Sequence, residues 1–87
     1  MHALEFSNQA KKFLKKLDQH IFDRIIKRLE NLRQEPVPSD AKFISRDENG
    51  EKIFRYRIGE YRALYKLKEK EKVILISKID KRPRVYD

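Results

Sequence analysis

Two alternating runs joined at Gly59-Glu60, in the stretch EKIFRYRIGEYRALYKL from Glu51 to Leu67, limit what this chain can fold into more than any other feature. Glycine at the first central position of a two-residue loop reaches φ > 0 without a Cβ clash, which suits a type II′ turn between antiparallel strands. That turn sets a register: Ile58 opposite Tyr61, Arg57 opposite Arg62, Tyr56 opposite Ala63, Arg55 opposite Leu64 and Phe54 opposite Tyr65. Directly opposed residues share a face. One face therefore carries Phe54, Tyr56, Ile58, Tyr61, Ala63 and Tyr65 and belongs on a core, while the other carries Arg55, Arg57 and Arg62 beside Leu64. Setting Arg57 against Arg62 costs stability through repulsion, and a polyanion would relieve it. Solvated strand faces are also commonly Lys- and Arg-rich as a defence against edge pairing, so the charge alone leaves both readings open.

The rest of the chain supplies the layer that covers the apolar face. His2 to Phe6 alternates weakly and reads as a short first strand. Ser7 can cap a helix whose apolar stripe is Ala10, Phe13, Leu14 and Leu17, at the i, i+3, i+4, i+7 spacing. Lys11, Lys12, Lys15 and Lys16 on its other side read as solvated. Asp18 can cap a second helix with Ile21, Phe22, Ile25, Ile26, Leu29 and Leu32 inside and Asp23, Lys27, Arg28, Glu30 and Asn31 outside; Pro36 ends it near Arg33 to Glu35. The two form an αα-hairpin whose stripes need a sheet to cover. Pro36 to Gly50 reads as a loop, pinned to the core by Phe43 and Ile44 and turning into the sheet at Asn49-Gly50.

After a charged turn at Lys68 to Lys72, Val73 to Ile79 is the most apolar strand. If Leu67 opposes Val73, then Tyr65 meets Leu75 on the core face, while Leu64 meets Ile76 and Arg62 meets Lys78 on the basic face. Leu64, Ile74 and Ile76 would then form an exposed apolar strip, the mark of a partner surface. The expected fold is α+β: a short N-terminal strand, an αα-hairpin and a three-stranded antiparallel meander, with both helices on one sheet face. Eighty-seven residues leave room for one core, so residues 1–87 read as one domain.

Composition narrows the function. Charged residues make up 41% of the chain and the formal net charge is +8, which favours an acidic partner such as nucleic acid, an anionic membrane or an acidic protein. A membrane fits least: no apolar run approaches the roughly 20 residues of a spanning helix, no signal-peptide core precedes the first strand, and a cytoplasmic protein is expected. There is no Cys, hence no disulfide and no thiolate chemistry. The two histidines, His2 and His20, are not spaced as metal ligands, and two glycines cannot build a phosphate-cradling loop. No metal or cofactor is expected.

The phrase Tyr56-Arg57-Ile58-Gly59-Glu60-Tyr61-Arg62-Ala63-Leu64-Tyr65, and a last strand Ile76-Ser77-Lys78-Ile79-Asp80-Lys81-Arg82 leading to Tyr86, resemble the RelE/ParE superfamily of toxins from toxin–antitoxin modules over essentially the whole chain. The resemblance to its RelE branch implies a ribosome-dependent endoribonuclease that cuts mRNA by metal-free transesterification, the nucleotide's own 2′-OH attacking the adjacent phosphate. It implies that Arg62 stabilises the charge developing on the phosphorane, that Arg82 helps neutralise or protonate the leaving 5′-oxygen, and that Tyr86 stacks against or orients a base. Lys52 and Arg55 fall where the family keeps the basic residues that activate the 2′-OH, and Arg57, Lys78, Lys81 and Arg84 read as RNA-binding. Arginine is a poor proton acceptor, which leaves three routes: Lys52 reaches in, Lys81 substitutes, or the site positions its substrate without a conventional base. The implied partners are the ribosome with its mRNA and an acidic cognate antitoxin laid over Leu64, Ile74 and Ile76. Two other functions fit the same residues: a ParE-like DNA gyrase inhibitor, and a plain basic nucleic-acid-binding domain.

Overall fold

The computed structural model describes residues 1–82. In chain order the elements are β1 (Ala3–Phe6), α1 (Asn8–Lys15), α2 (Gln19–Glu30) with a 3-10 turn at Asn31–Arg33, β2 (Ala41–Arg46), β3 (Lys52–Ile58), β4 (Tyr61–Lys68) and β5 (Val73–Lys81). The five strands form one sheet in the order β1-β5-β4-β3-β2, with β1 parallel to β5 and every other pair antiparallel. The α+β class, the element order and the meander of β3 to β5 are as expected. One strand, β2, is added on the outer side of β3. No helix among the described residues is long and apolar enough to cross a membrane.

Helix ends follow local chemistry. At the start of α1 the Ser7 hydroxyl accepts the Ala10 N–H at 3.1 Å and itself donates to the Ser77 carbonyl at 2.8 Å, tying the helix to β5. Asp18 occupies the corresponding position before α2, but its carboxylate makes no capping bond; its backbone carbonyl accepts from Ile21 and Phe22 instead. The core lies between the helices and one sheet face, where Ala10, Leu14, Ile25, Leu29 and Leu32 pack over Phe54, Tyr56, Ile58, Tyr65, Ile74 and Ile76. Tyr65 is fully buried, stacks on Phe54 with ring centres 5.4 Å apart, and donates its hydroxyl to the Pro36 carbonyl at 2.6 Å. Burial pushes that phenol far above its ordinary range, so it stays a donor.

The β3–β4 hairpin has the expected register residue for residue, with Gly59 at φ +59°. The β4–β5 register differs. The turn uses four residues, Glu69 to Lys72, with Lys72 in the left-handed region at φ 57°, so Lys68 opposes Val73 and Leu67 opposes Ile74. A one-residue slip exchanges the faces of a strand. Ile74 and Ile76 therefore point into the core with no exposed surface, and they do not form the exposed strip expected beside Leu64. Ser77 then sits as an extra residue between the pairs Tyr65–Ile76 and Leu64–Lys78, its hydroxyl donating to the Leu64 carbonyl at 3.1 Å. This bulge reverses the alternation again. It sends Ile79 to the core and brings Lys78 and Asp80 to the basic face; Arg62 thus meets Asp80, not Lys78.

The stretch Pro36 to Gly50 is only partly loop. Ala41-Lys42-Phe43 pairs with Tyr56-Arg55-Phe54, a bulge at Ile44 follows, and Ser45-Arg46 pairs with Ile53-Lys52. Phe43 and Ile44 are not pinned to the core; they are 51% and 43% exposed, with Phe43 resting edge-on against Phe54. The returning turn is held by Asp47, whose Oδ1 accepts the N–H groups of Asn49 and Glu51 at 2.9 Å each, while its Oδ2 meets Lys66 Nζ at 2.7 Å.

Candidate nucleic-acid interface

On the sheet face turned away from the helices, strand pairing lays the charges out in rows. One row runs Lys42, Arg55, Leu64, Lys78 from β2 to β5, and the next runs Arg57, Arg62, Asp80 from β3 to β5. These two rows bring five cations to one face because each stands at the right parity on its strand. Lys42, Arg55 and Arg57, with Asp40, line a cavity of about 210 Å³, and Arg62 stands on the adjoining strand.

Arg62 is 35% exposed, and its Nε donates to Asp80 Oδ1 at 2.9 Å. The other carboxylate oxygen of Asp80 lies 3.8 Å from Lys78 Nζ. A guanidinium held through a single bond to Nε keeps further N–H donors in a planar fork suited to two oxygens of a phosphate. Arg57 is presented from beneath by Arg28 of α2, which donates to the Arg57 carbonyl at 3.5 Å, to the Tyr56 hydroxyl at 3.2 and 3.1 Å and to Asp40 at 3.1 Å. Its guanidinium also lies 5.0 Å from the centre of the Tyr56 ring. Arg28, read from the helical pattern as an outward residue, instead clamps α2 to the sheet and to the segment before β2.

Arg82 lies at the same end of the sheet as Arg57 and Arg62. Its backbone N–H donates to the Glu60 carbonyl at 2.6 Å and its guanidinium to the Gly59 carbonyl at 3.1 Å, so it is latched to the β3–β4 turn. Lys52 and Lys81 do not join the cluster. Lys52 pairs with Leu67 and Lys81 with Tyr61, both core-face positions, which puts these lysines on the helix side of the sheet. Lys52 borders a separate hollow with Glu51, Glu69 and Glu71, and Lys81 Nζ lies 3.6 Å from Glu60. Neither is positioned to activate a group bound over Arg62. Arg84 and Tyr86 lie outside the described residues.

Two members of this face were missed in the sequence. Lys42 was hidden inside an apparent loop, although the alternation Ala41-Lys42-Phe43 was a signal. Asp80 was displaced by the register slip and the bulge, for which the residues around Ser77 give no clear sign. A larger cavity, about 620 Å³, lies elsewhere, between the end of α2 and residues 38–40; Glu30, Glu35 and Asp40 line it, a poor setting for a polyanion. No group of three or more His, Cys, Asp or Glu among the described residues is placed to hold a metal ion.

The sequence pattern of the family described as ParE toxin of type II toxin–antitoxin system, parDE, matches residues 4–86. The chain is 28% identical over 83 residues to RelE1 of Methanocaldococcus jannaschii, a match covering 95% of this chain and 92% of that protein. Its fold superposes with a TM-score of 0.83 on a chain of the archaeal RelE–RelB complex from Pyrococcus horikoshii, at 29% identity and covering 97% of this chain and 98% of that one. The RelBE2 toxin–antitoxin complex of Mycobacterium tuberculosis follows at 0.77 and 27% identity, covering 93% and 98%. Isolated Escherichia coli RelE shares the fold, at a TM-score of 0.75 and 21% identity, with 98% and 88% covered.

A five-stranded sheet with an αα-hairpin on one face is thus the fold that this chain shares with RelE-type toxins. The chain belongs to the ParE toxin family of type II toxin–antitoxin systems, within the RelE/ParE superfamily.

Proposed function

We propose that this toxin is a ribosome-dependent endoribonuclease that cuts mRNA by attack of a 2′-OH on the adjacent phosphate. The observation that carries the reading is the row Arg57, Arg62, Asp80 set beside Lys42, Arg55 and Lys78: several cations on one rigid sheet face, with donors free to grip a phosphate. In the reaction the 2′-oxygen loses its proton and bonds to phosphorus, the 5′-oxygen departs and is protonated, and a 2′,3′-cyclic phosphate remains. Arg62 stabilises the extra negative charge of the phosphorane, Arg55 and Arg57 hold the neighbouring backbone, and Arg82 stands toward the leaving oxygen. Tyr86 and Arg84 complete the RNA contacts in this reading. The 2′-OH is activated by positioning among cations; Lys52 and Lys81 lie on the helix side, whereas Lys42 and Lys78 share the face.

An acidic cognate antitoxin and a cytoplasmic setting go with this function. The antitoxin surface is recast by the register: Leu64 stays on the basic face, with half-buried Leu75 and Ile53 in place of Ile74 and Ile76. The experiment is translation in a purified extract. Unaltered toxin should yield cut messages, and Arg62→Ala should yield none while keeping its thermal midpoint. Equal cutting by the variant would remove Arg62 from the chemistry.

A second reading, inhibition of DNA gyrase without RNA cleavage, is favoured by the name of the matching family. It predicts loss of supercoiling activity with transcripts intact, and the same protein preparation can be tested for both.

A further inference from the structure

The cleavage scheme leaves Asp80 without a part, although it is the carboxylate in direct contact with the arginine at the centre of the face. We infer that Asp80 is an internal counter-anion of the phosphate seat, occupying Arg62 in the free protein and giving it up to a backbone phosphate of single-stranded RNA. The inference rests on the reading of this face as an RNA site and adds what sets its affinity.

Three observations carry it. First, the contact is a real but exchangeable one: a single bond from Arg62 Nε at 2.9 Å, with both side chains about one third exposed, at 35% and 32%. Ion pairs this open to water are weak and can be traded for a stronger anion. Second, the carboxylate stands where a phosphate would be placed. Its Oδ1 takes the Nε donor, and its Oδ2 faces the Lys78 ammonium at 3.8 Å, so one acidic group already spans two of the cations a phosphate would bridge. Third, its presence depends on a specific device of the fold. Without the extra residue at Ser77, Asp80 would fall on the helix side of β5; the bulge carries it to the row in which Arg57 and Arg62 directly oppose one another. There it offsets their mutual repulsion while the face is empty. Once a phosphate arrives, the same carboxylate competes for Arg62 and repels the ligand.

The test is fluorescence anisotropy with a 2′-O-methylated single-stranded RNA oligonucleotide, which cannot be cleaved through the 2′-oxygen. The unaltered protein, Asp80→Asn, Arg62→Ala and the double variant are compared, with a thermal melt for each to establish that it is folded. Asparagine keeps an oxygen that can accept the Arg62 N–H while it removes the charge and turns the other oxygen into an NH2 donor. Asp80→Asn should tighten binding by about two- to fivefold, the upper part of the range a partly exposed ion pair commands. In the Arg62→Ala background the same change should tighten it by less than about twofold, because the competed donor is gone. Unchanged affinity for Asp80→Asn, or the same gain with and without Arg62, overturns the counter-anion while leaving the RNA site standing. Absence of binding by the unaltered protein, or equal binding by Arg62→Ala, overturns the RNA-site reading and the counter-anion with it.

Discussion

Arg62 is asked to do what few side chains can: remain charged, stay fixed on a strand and offer paired donors to an oxyanion that gains charge in the transition state. Removal of one such donor typically costs about 100- to 1,000-fold in rate, and Arg62→Ala should lose at least that much of the message-cleaving activity. Being one third exposed and bound to a similarly exposed Asp80, Arg62 should leave stability within about 1 kcal/mol when removed; paired cleavage and melting curves separate the two effects. Asp47 and Lys66 illustrate a purely structural pair. Their mutual contact and the turn amides hold the Asp47 carboxyl below its ordinary 3.8, and the Asp47 carboxylate holds the Lys66 ammonium above its ordinary 10.5. The carboxyl's contribution is therefore present above about pH 4 and lost as pH falls through its lowered value; the ammonium's is present below about pH 10.5 and lost as pH rises through its raised value. Melting midpoints across pH should show the acid loss in the unaltered protein and a flatter acid limb in Asp47→Asn.

Among the elements, the β3–β4 hairpin is the one whose sequence states its geometry most fully. Gly59 has φ +59°, where a Cβ would meet only the Arg24 guanidinium at 3.6 Å, so the obstacle to substitution is backbone strain and not lack of space. Gly59→Ala should cost about 1–2 kcal/mol in chemical denaturation, and Gly59→Asn less, since asparagine tolerates the left-handed region. An equal cost for both would point to a packing cause. The hairpin's register and both helical stripes were legible because turn chemistry and periodicity repeat over many residues. Two features were not. β2 has only six residues, interrupted by a bulge at Ile44, and it sits between a Pro-rich segment and an Asn-Gly turn, so local punctuation outweighed its short alternation. The β4–β5 pairing hinges on whether Lys68 belongs to the strand or to the turn and on one inserted serine, choices settled by packing Ile74, Ile76 and Ile79 under the helices. Of the site, Arg55, Arg57, Arg62 and Leu64 were readable because they belong to that hairpin; Asp80 was hidden because its face depends on a long-range bulge, and Lys52 was misjudged because it lies an odd number of residues from Arg55.

At the scale of the whole molecule, the net charge of +8 includes a cluster fixed on one sheet face. Helices and core residues take one side of the sheet, and Lys42, Arg55, Arg57, Arg62 and Lys78 gather on the other. Each phosphate neutralised on a single strand releases counterions and contributes roughly −0.7 to the slope of log affinity against log salt. Binding of a short single-stranded RNA should therefore fall with a slope of about −2 to −4, and Arg57→Ala should flatten it by about 0.7 if that arginine holds one phosphate. The central claim, that this charged face serves attack by a neighbouring 2′-OH, meets its most direct test on messages bound to ribosomes with a single 2′-deoxy nucleotide at the mapped cut. Cleavage of the all-ribose message to a 2′,3′-cyclic phosphate, abolished by that one deoxy substitution with ribosome binding unchanged, is the result this structure predicts. Cutting of both messages alike, or of neither while gyrase supercoiling stops, would contradict it.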